Sequence, residues 1–546
     1  MPDKKIPEAY MRWHIPLLIA SLALPMPVLA AKHAYDMGKV QVVGKDAQSE
    51  AAFNDPAPID LEMGARAMPL PEILPDRFER EPQTLEEKPF IAEKPLTKDE
   101  LSVSAGAGTR GSKELRASGK GSYESYTGEI GLSRESKDGF LSSVNDSRNL
   151  VTGKLSTSGE GSYQLILTGL TGSDNFAQRG TRANPTPAAG ISDDDLGFSI
   201  RGNSTLSDGA YFSAYGKVDS SKRDTTNGPF SFNEDSEMLS TIAGAEYRKS
   251  IRPTITGRAA LDLKRDRYSI SNGPDQKLTK RTSTLAAEIE MSKLAFLTLG
   301  AKDISLMDRS RFTPLLKLDY RWDKPWQFLL IYEEDLGNDS LHEIYMPRRY
   351  VPFGSVAASH KRDTSGQVNY RSENGNLLGA EIFSRREDNS REYVDMFEPA
   401  KGILSSVIRL APDARRAGVR LHGTFKLDET FTLNLASTFQ NPRDLTNNRR
   451  LSYEPRRLFE IGLGYADGPF HLDFARHASY DRSAYIPATQ VDAGDYSRSD
   501  LVFRYNFSTT FKAFIKVRDL YDEAKHLRYN VPEEGRVSLA GIEASF

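Results

Sequence analysis

The 546-residue sequence contains no cysteine. That excludes disulfide scaffolds, thiolate zinc sites, iron–sulfur clusters and cysteine nucleophiles. It also suits export into an oxidising compartment, where stray thiols would pair. Beyond the N-terminus there is no apolar run of about 18 residues or more, so no helix long enough to span a bilayer can form. Charge of one sign is lacking too: the formal net charge is -3. Without a basic field, nucleic acid is not an expected partner. Hydrophobic residues make up only 38% of the chain and the mean hydropathy is -0.51. These values are low for a helical membrane protein. They do not argue against a membrane β-barrel, whose strands alternate lipid-facing with lumen-facing residues and so keep the average low.

What is present begins with an export signal over residues 1–30. Lys4, Lys5 and Arg12 supply positive charge, Ile15 to Leu24 is almost wholly apolar, and Val28-Leu29-Ala30 offers small-residue cleavage chemistry. The mature chain is expected to start at Ala31. Residues 31–98 form a separate region. Prolines recur at Pro56, Pro58, Pro69, Pro71, Pro75, Pro82, Pro89 and Pro95, charges are mixed, and no periodicity survives. Proline fixes φ and removes a donor, so this stretch reads as an extended or disordered periplasmic tail. One short apolar patch precedes it, Lys39-Val40-Gln41-Val42-Val43-Gly44, which could form a single strand.

From residue 99 to 546 the period becomes two. Phe431, Leu433, Leu435 and Phe439 alternate with Thr432, Asn434, Ala436 and Thr438. Leu501, Phe503, Tyr505 and Phe507 alternate with Val502, Arg504 and Asn506. Strands with one apolar and one polar face fit lipid outside and water inside. Segments of about ten residues or more match a tilted membrane strand. Short turns such as Ser207-Asp208-Gly209, Asp323-Lys324-Pro325, Asp467-Gly468-Pro469 and Ser508-Thr509-Thr510 alternate with longer polar stretches near 172–193, 221–235, 335–360, 387–413, 441–456 and 481–497. Short turns inside and long loops outside mark outer-membrane barrels. The expected fold is therefore all-β: a transmembrane, antiparallel up-and-down barrel of about 22 strands preceded by a disordered tail. Trp322 and Trp326 flank one short turn and are expected in an aromatic girdle at a membrane–water interface.

The C-terminal part resembles the barrel of TonB-dependent outer-membrane receptors. The likeness is carried by Arg415-Arg416-Ala417-Gly418-Val419-Arg420-Leu421, by Leu451-Ser452-Tyr453-Glu454-Pro455 leading into Phe459-Glu460-Ile461-Gly462-Leu463-Gly464-Tyr465, by Val517-Arg518-Asp519-Leu520-Tyr521-Asp522, and by Pro532-Glu533-Glu534-Gly535-Arg536 before the last strand. Phe546 supplies the terminal aromatic that such barrels present to the barrel assembly machinery. The resemblance implies a 22-stranded barrel, in line with the strand count. It also implies that Lys39 to Gly44 is a degenerate TonB box, the segment that pairs with TonB by strand addition. One departure stands out: the family carries a globular plug of well over a hundred residues, whereas here only residues 31–98 precede the first strand. No independent plug domain is expected, and the lumen should be narrowed by outer loops 335–360 and 387–413, by the tail, or by a partner.

Chemical motifs are few. Gly106-Ala107-Gly108-Thr109-Arg110-Gly111 matches G-x-G-x-x-G, but a strand-like stretch follows where a dinucleotide site needs a helix, so a glycine-rich hairpin is expected. His422 and His471 can both face the lumen without metal-ligand spacing, and Asp193-Asp194-Asp195 reads as solvated charge in an outer loop. No constellation points to an enzyme, a cofactor or a resident metal. Arg420, Glu460, Arg504, Lys512, Lys516 and Arg518 fall on lumenal faces, where they hydrate the interior or bond to a plugging segment or solute. The expected function is solute transport across the outer membrane. The alternatives are a plugless scaffold anchoring a periplasmic or export complex, and a passive pore. Expected partners are outer-membrane lipid, the assembly machinery, and TonB or another periplasmic protein.

Overall fold

In the computed structural model, residues 100–546 are described apart from short stretches in the connections, the longest being 338–357 and 523–534, and before residue 100 only His33 and Ala34 are described. The signal segment, the proline-rich tail and the Lys39 to Gly44 patch therefore lie outside the described residues, as does most of the 335–360 stretch.

Twenty-two antiparallel strands form one sheet. They are β1 Glu100–Gly108, β2 Lys113–Tyr123, β3 Tyr126–Asp138, β4 Asn145–Thr157, β5 Tyr163–Ala177, β6 Ala188–Thr205, β7 Tyr211–Thr226 and β8 Glu234–Arg252. Next come β9 Ile255–Ile270, β10 Gln276–Ser292, β11 Ala295–Leu306, β12 Arg309–Trp322, β13 Trp326–Gly337, β14 Ser359–Arg371, β15 Leu377–Glu398 and β16 Ile403–Lys426. The wall ends with β17 Phe431–Asp444, β18 Arg457–Asp467, β19 Phe470–Tyr480, β20 Asp495–Asn506, β21 Phe511–Arg518 and β22 Val537–Ser545. Each strand pairs with its sequence neighbour, and β22 pairs with β1, Ser102 opposite Ser545 and Gly108 opposite Leu539. The sheet is thus closed, its last strand on its first. A two-residue bridge of His33–Ala34 beside Asp495 and Tyr496 adds to the sheet without joining the wall.

The alternation is as the sequence suggests. Leu101, Leu115, Ile130, Phe198, Leu261, Leu285, Leu330, Ile382, Leu421 and Ile542 are large, apolar and exposed on one face. Ser104, Glu114, Asp266, Asp319, Glu381 and Asp500 are buried on the other. A soluble fold would reverse this, and lipid as the outer solvent explains it. Aromatic rings gather near the short turns: Trp322 faces Trp326 in the ladder, and Trp326 and Tyr370 ring centroids are 4.9 Å apart. Phe431 with Tyr465 (4.7 Å) and Phe470 with Tyr505 (4.9 Å) continue this inner girdle. It is the belt expected where amphipathic rings meet headgroups.

Two expected connections are different. Residues 387–413 are not a loop: β15 and β16 pair out to Glu398 opposite Ile403. The charges and Pro412 imitate loop composition because a hairpin that rises beyond the membrane needs no apolar face. The ladder simply skips Asn389 opposite Pro412, where the proline has no N–H to give. Likewise much of 172–193 is strand, and Asp193, Asp194 and Asp195 sit in β6 opposite Arg223, Lys222 and Ser221 rather than in a loop. The Gly106 to Gly111 stretch is indeed a hairpin, closed by the Gly108 N–H donating to the Ser112 carbonyl at 2.8 Å.

Candidate functional site: the lumenal wall and its outer rim

Strand register decides which side chains share the lumen. Asn369, Gly379 and His422 lie side by side on β14, β15 and β16, and one step outward Gln367, Glu381, Arg420 and Thr438 follow. Glu460 faces His477, and His471 faces Arg504. The six lumenal charges anticipated above thus do face inward, and several are tied to partners rather than left for a solute. Lys512 Nζ donates to Glu543 at 2.9 Å. Lys516 Nζ reaches Glu114 at 2.8 Å, Glu114 also meets Arg116 at 2.9 Å, and Arg116 meets Glu135 at 2.7 Å. This chain of charges runs from β21 to β3 across the closing seam, and so bolts the two ends of the wall together from inside.

Glycine makes that crossing possible. Gly541 of β22 lies opposite Gly106 of β1, and the Phe514 ring rests on both. A methyl added at Gly541 would meet Phe514 Cζ at 2.4 Å and the Ala105 carbonyl oxygen at 2.3 Å. The same device recurs where the Tyr215 ring lies on Gly244 to reach Asp262 with its hydroxyl at 2.6 Å, and where the His422 ring covers Gly379. In each case a rigid ring fills the space of an absent side chain on the next strand. His422 and His471 stay apart, the latter 3.0 Å from the Asn506 amide. Among the described residues no group of three or more His, Asp or Glu side chains could hold a metal ion.

The outer rim is the most elaborate part. The β15–β16 hairpin is clasped by residues 445–456 and 481–494. Arg416, almost wholly buried, donates through Nε and Nη2 to Glu454 at 3.0 and 2.7 Å, through Nη1 to Glu387 at 3.2 Å, and through Nη2 to Ser390 at 2.9 Å. Burial pushes the Glu454 carboxyl above its usual range; Arg416 pulls it down, but Glu392 and Glu387 reinforce the burial. Glu392 in turn accepts from the Arg449 guanidinium, from Arg409 at 3.2 Å and from the Ser452 N–H at 2.7 Å. The Arg409 and Arg449 guanidinium carbons stand 4.4 and 4.8 Å from the Tyr485 ring centroid. Two outer connections are therefore held to one hairpin, the first by hydrogen-bonded charges and the second by the arginines against Tyr485. Arginine with aromatic neighbours in this part of the sequence is the only signal that could have pointed here, and by itself it names no partner.

Of the anticipated site residues, Phe546 is placed and Lys39 to Gly44 are not. Phe546 exchanges backbone bonds with Leu101 (2.7 and 3.0 Å), and its ring is 6.5 Å from that of Phe511, on the inner girdle.

No known protein family matches the sequence, and no curated protein matches it. Solved structures do share the fold. The FpvA receptor of P. aeruginosa bound to a heterologous pyoverdine is similar with a TM-score of 0.65 at 11% identity, covering 83% of this chain and 72% of that one. The siderophore receptor PiuA from Acinetobacter baumannii is similar with a TM-score of 0.64 at 11% identity, covering 84% and 82%. The copper transporter OprC is similar with a TM-score of 0.63 at 12% identity, covering 82% and 81%. The chain has the barrel fold of these outer-membrane receptors and transporters.

Proposed function

We propose that the protein is a transport barrel of the outer membrane that works in the manner of TonB-dependent receptors. The observation that carries this reading is the closed wall: lipid-facing apolar residues outside, charged and hydrogen-bonded residues across the lumen inside, and 22 strands around. A lumen of that circumference is wide enough to pass a bulky solute and must be obstructed when idle. The fold shared with the pyoverdine-bound FpvA, a siderophore receptor and a copper transporter supports the same reading.

In this account residues 1–30 direct export and residues 31–98 hang as a periplasmic tail without a plug domain. Lys39, Val40, Gln41, Val42, Val43 and Gly44 add as a strand to TonB or a similar periplasmic protein. Phe546 is the contact for the assembly machinery and has no part in transport. The test is binding of the full chain, purified in detergent, to the periplasmic domain of TonB. The two should co-elute, and deletion of residues 39–44 should abolish this while leaving the amount of assembled barrel unchanged. Equal binding by the deletion variant would contradict the tail's role. A steady conductance of the intact protein in a planar bilayer would favour a passive pore instead.

A further inference from the structure

The wall is not continuous at every height. β12 and β13 are joined from Trp322 opposite Trp326 up to Leu316 opposite Tyr332, and there their ladder ends. Both strands continue, but each keeps only its other neighbour. Residues 309–315 stay paired with β11, and residues 333–337 with β14. Pro314 lies just beyond the last pair and has no N–H to offer a continuing ladder.

Strict alternation shows where β13 goes. Leu330 is exposed on the outer face, so Leu336 belongs to that face, and His360, paired with it, belongs there too. Leu299 and Phe312 are also exposed outward, so Ile304 and Leu306 on β11 and Arg311 on β12 belong to the inner face. Yet Leu336 is buried in one cluster with Ile304, Leu306 and Ala358. His360 Nε2 lies 3.4 Å from Arg311 Nη1. The outer face of β13 and β14 therefore rests on the inner face of β11 and β12. The upper ends of β13 and β14 are folded inside the barrel, and the wall overlaps itself. Ion pairs hold the overlap: Glu333 with Lys302, and Asp335 with Lys280 at 2.7 Å, three strands away on β10. His360 also meets Glu334 at 2.8 Å and Asp388 at 3.3 Å.

We propose that this lapped seam is a gate at the outer mouth. In the folded-in state it narrows the lumen. In the open state β13 and β14 swing out and β13 continues its ladder on β12 in the register already begun, bringing Asp335 opposite Thr313 and Leu336 beside Phe312. Three observations support a second state. Among the described residues no strand pairs with the outer edge of β12 beyond Leu316, and apart from Pro314 that edge keeps the groups that take up a strand. Phe312 is 78% exposed and would gain Leu336 as a cross-strand neighbour on the apolar face. The groups released by opening are mostly charged, and lumenal water can solvate them. The inference goes beyond the transport reading, because the movement of the wall can be measured whether or not a solute is carried.

The absence of native cysteine makes the test clean. Thr313→Cys with Asp335→Cys traps the open register, and Ile304→Cys with Leu336→Cys traps the folded-in one. Full-length protein of each kind is oxidised in the membrane, scored for cross-linking, and recorded in planar bilayers before and after reductant. Both disulfides should form. The first should raise conductance several-fold, reversibly, and the second should hold it at the lowest level. The reduced form of each variant controls for folding. Failure of either disulfide, or an open-register cross-link that leaves conductance unchanged, would overturn the gate.

Discussion

Arg416 illustrates how single residues carry the outer rim. It lies between Glu454 and Glu387, and removing it leaves two carboxylates in a buried site with no cation between them. Breaking a buried pair from one side costs about 3–5 kcal/mol. Arg416→Ala should therefore loosen residues 445–456 without unfolding the wall, and the expected readout is new cleavage there by protease added to intact cells. An unchanged digest would mean that the contacts of Glu392 suffice alone. Glycine gives a second contrast. Gly541→Ala must displace Phe514 and the backbone of β1, whereas a methyl at Gly128 meets nothing within 4 Å. Overpacking of this kind costs about 1–3 kcal/mol. Urea unfolding in lipid vesicles should show a lower midpoint for Gly541→Ala and none for Gly128→Ala; equal midpoints would contradict the close packing of the seam.

At the scale of elements, alternation was legible wherever a strand crosses lipid. Phe431 to Phe439 and Leu501 to Phe507 present the faces that their period suggests, because lipid on one side and water on the other impose it. The same logic fails above the membrane. There both faces of a strand meet water, so the upper parts of β15 and β16 look like a loop, and Asp193 to Asp195 look like one too. Phe514 is an apolar residue on the lumenal face, explained only by the glycines across the ladder. The split between β12 and β13 is invisible in sequence except for Pro314, since a proline in a strand signals an edge but not which edge. The hairpin's independence from the membrane is itself testable. Excising residues 391–410 and joining the cut ends with a tight turn should leave assembly intact. The variant should keep the heat-dependent gel mobility of the parent, while residues 445–456, deprived of Glu392, become accessible to protease. Loss of assembly would show that the upper hairpin is needed to build the wall.

For the whole molecule the decisive property is closure, since the lumen and the girdle both depend on β22 meeting β1. Backbone donors in hydrocarbon have no water to turn to, and only a closed sheet satisfies them all. The reciprocal bonds between Leu101 and Phe546 make the next pair, Ser102 opposite Ser545, a non-hydrogen-bonded one. Such pairs hold their Cα atoms about 4.5 Å apart, within reach of a disulfide. The direct measurement is therefore the cross-link between Ser102→Cys and Ser545→Cys in membranes. The account predicts near-complete oxidation, with an altered mobility on denaturing gels that reductant abolishes and that neither single variant shows. Two free thiols in assembled protein under the same oxidation would contradict a closed barrel.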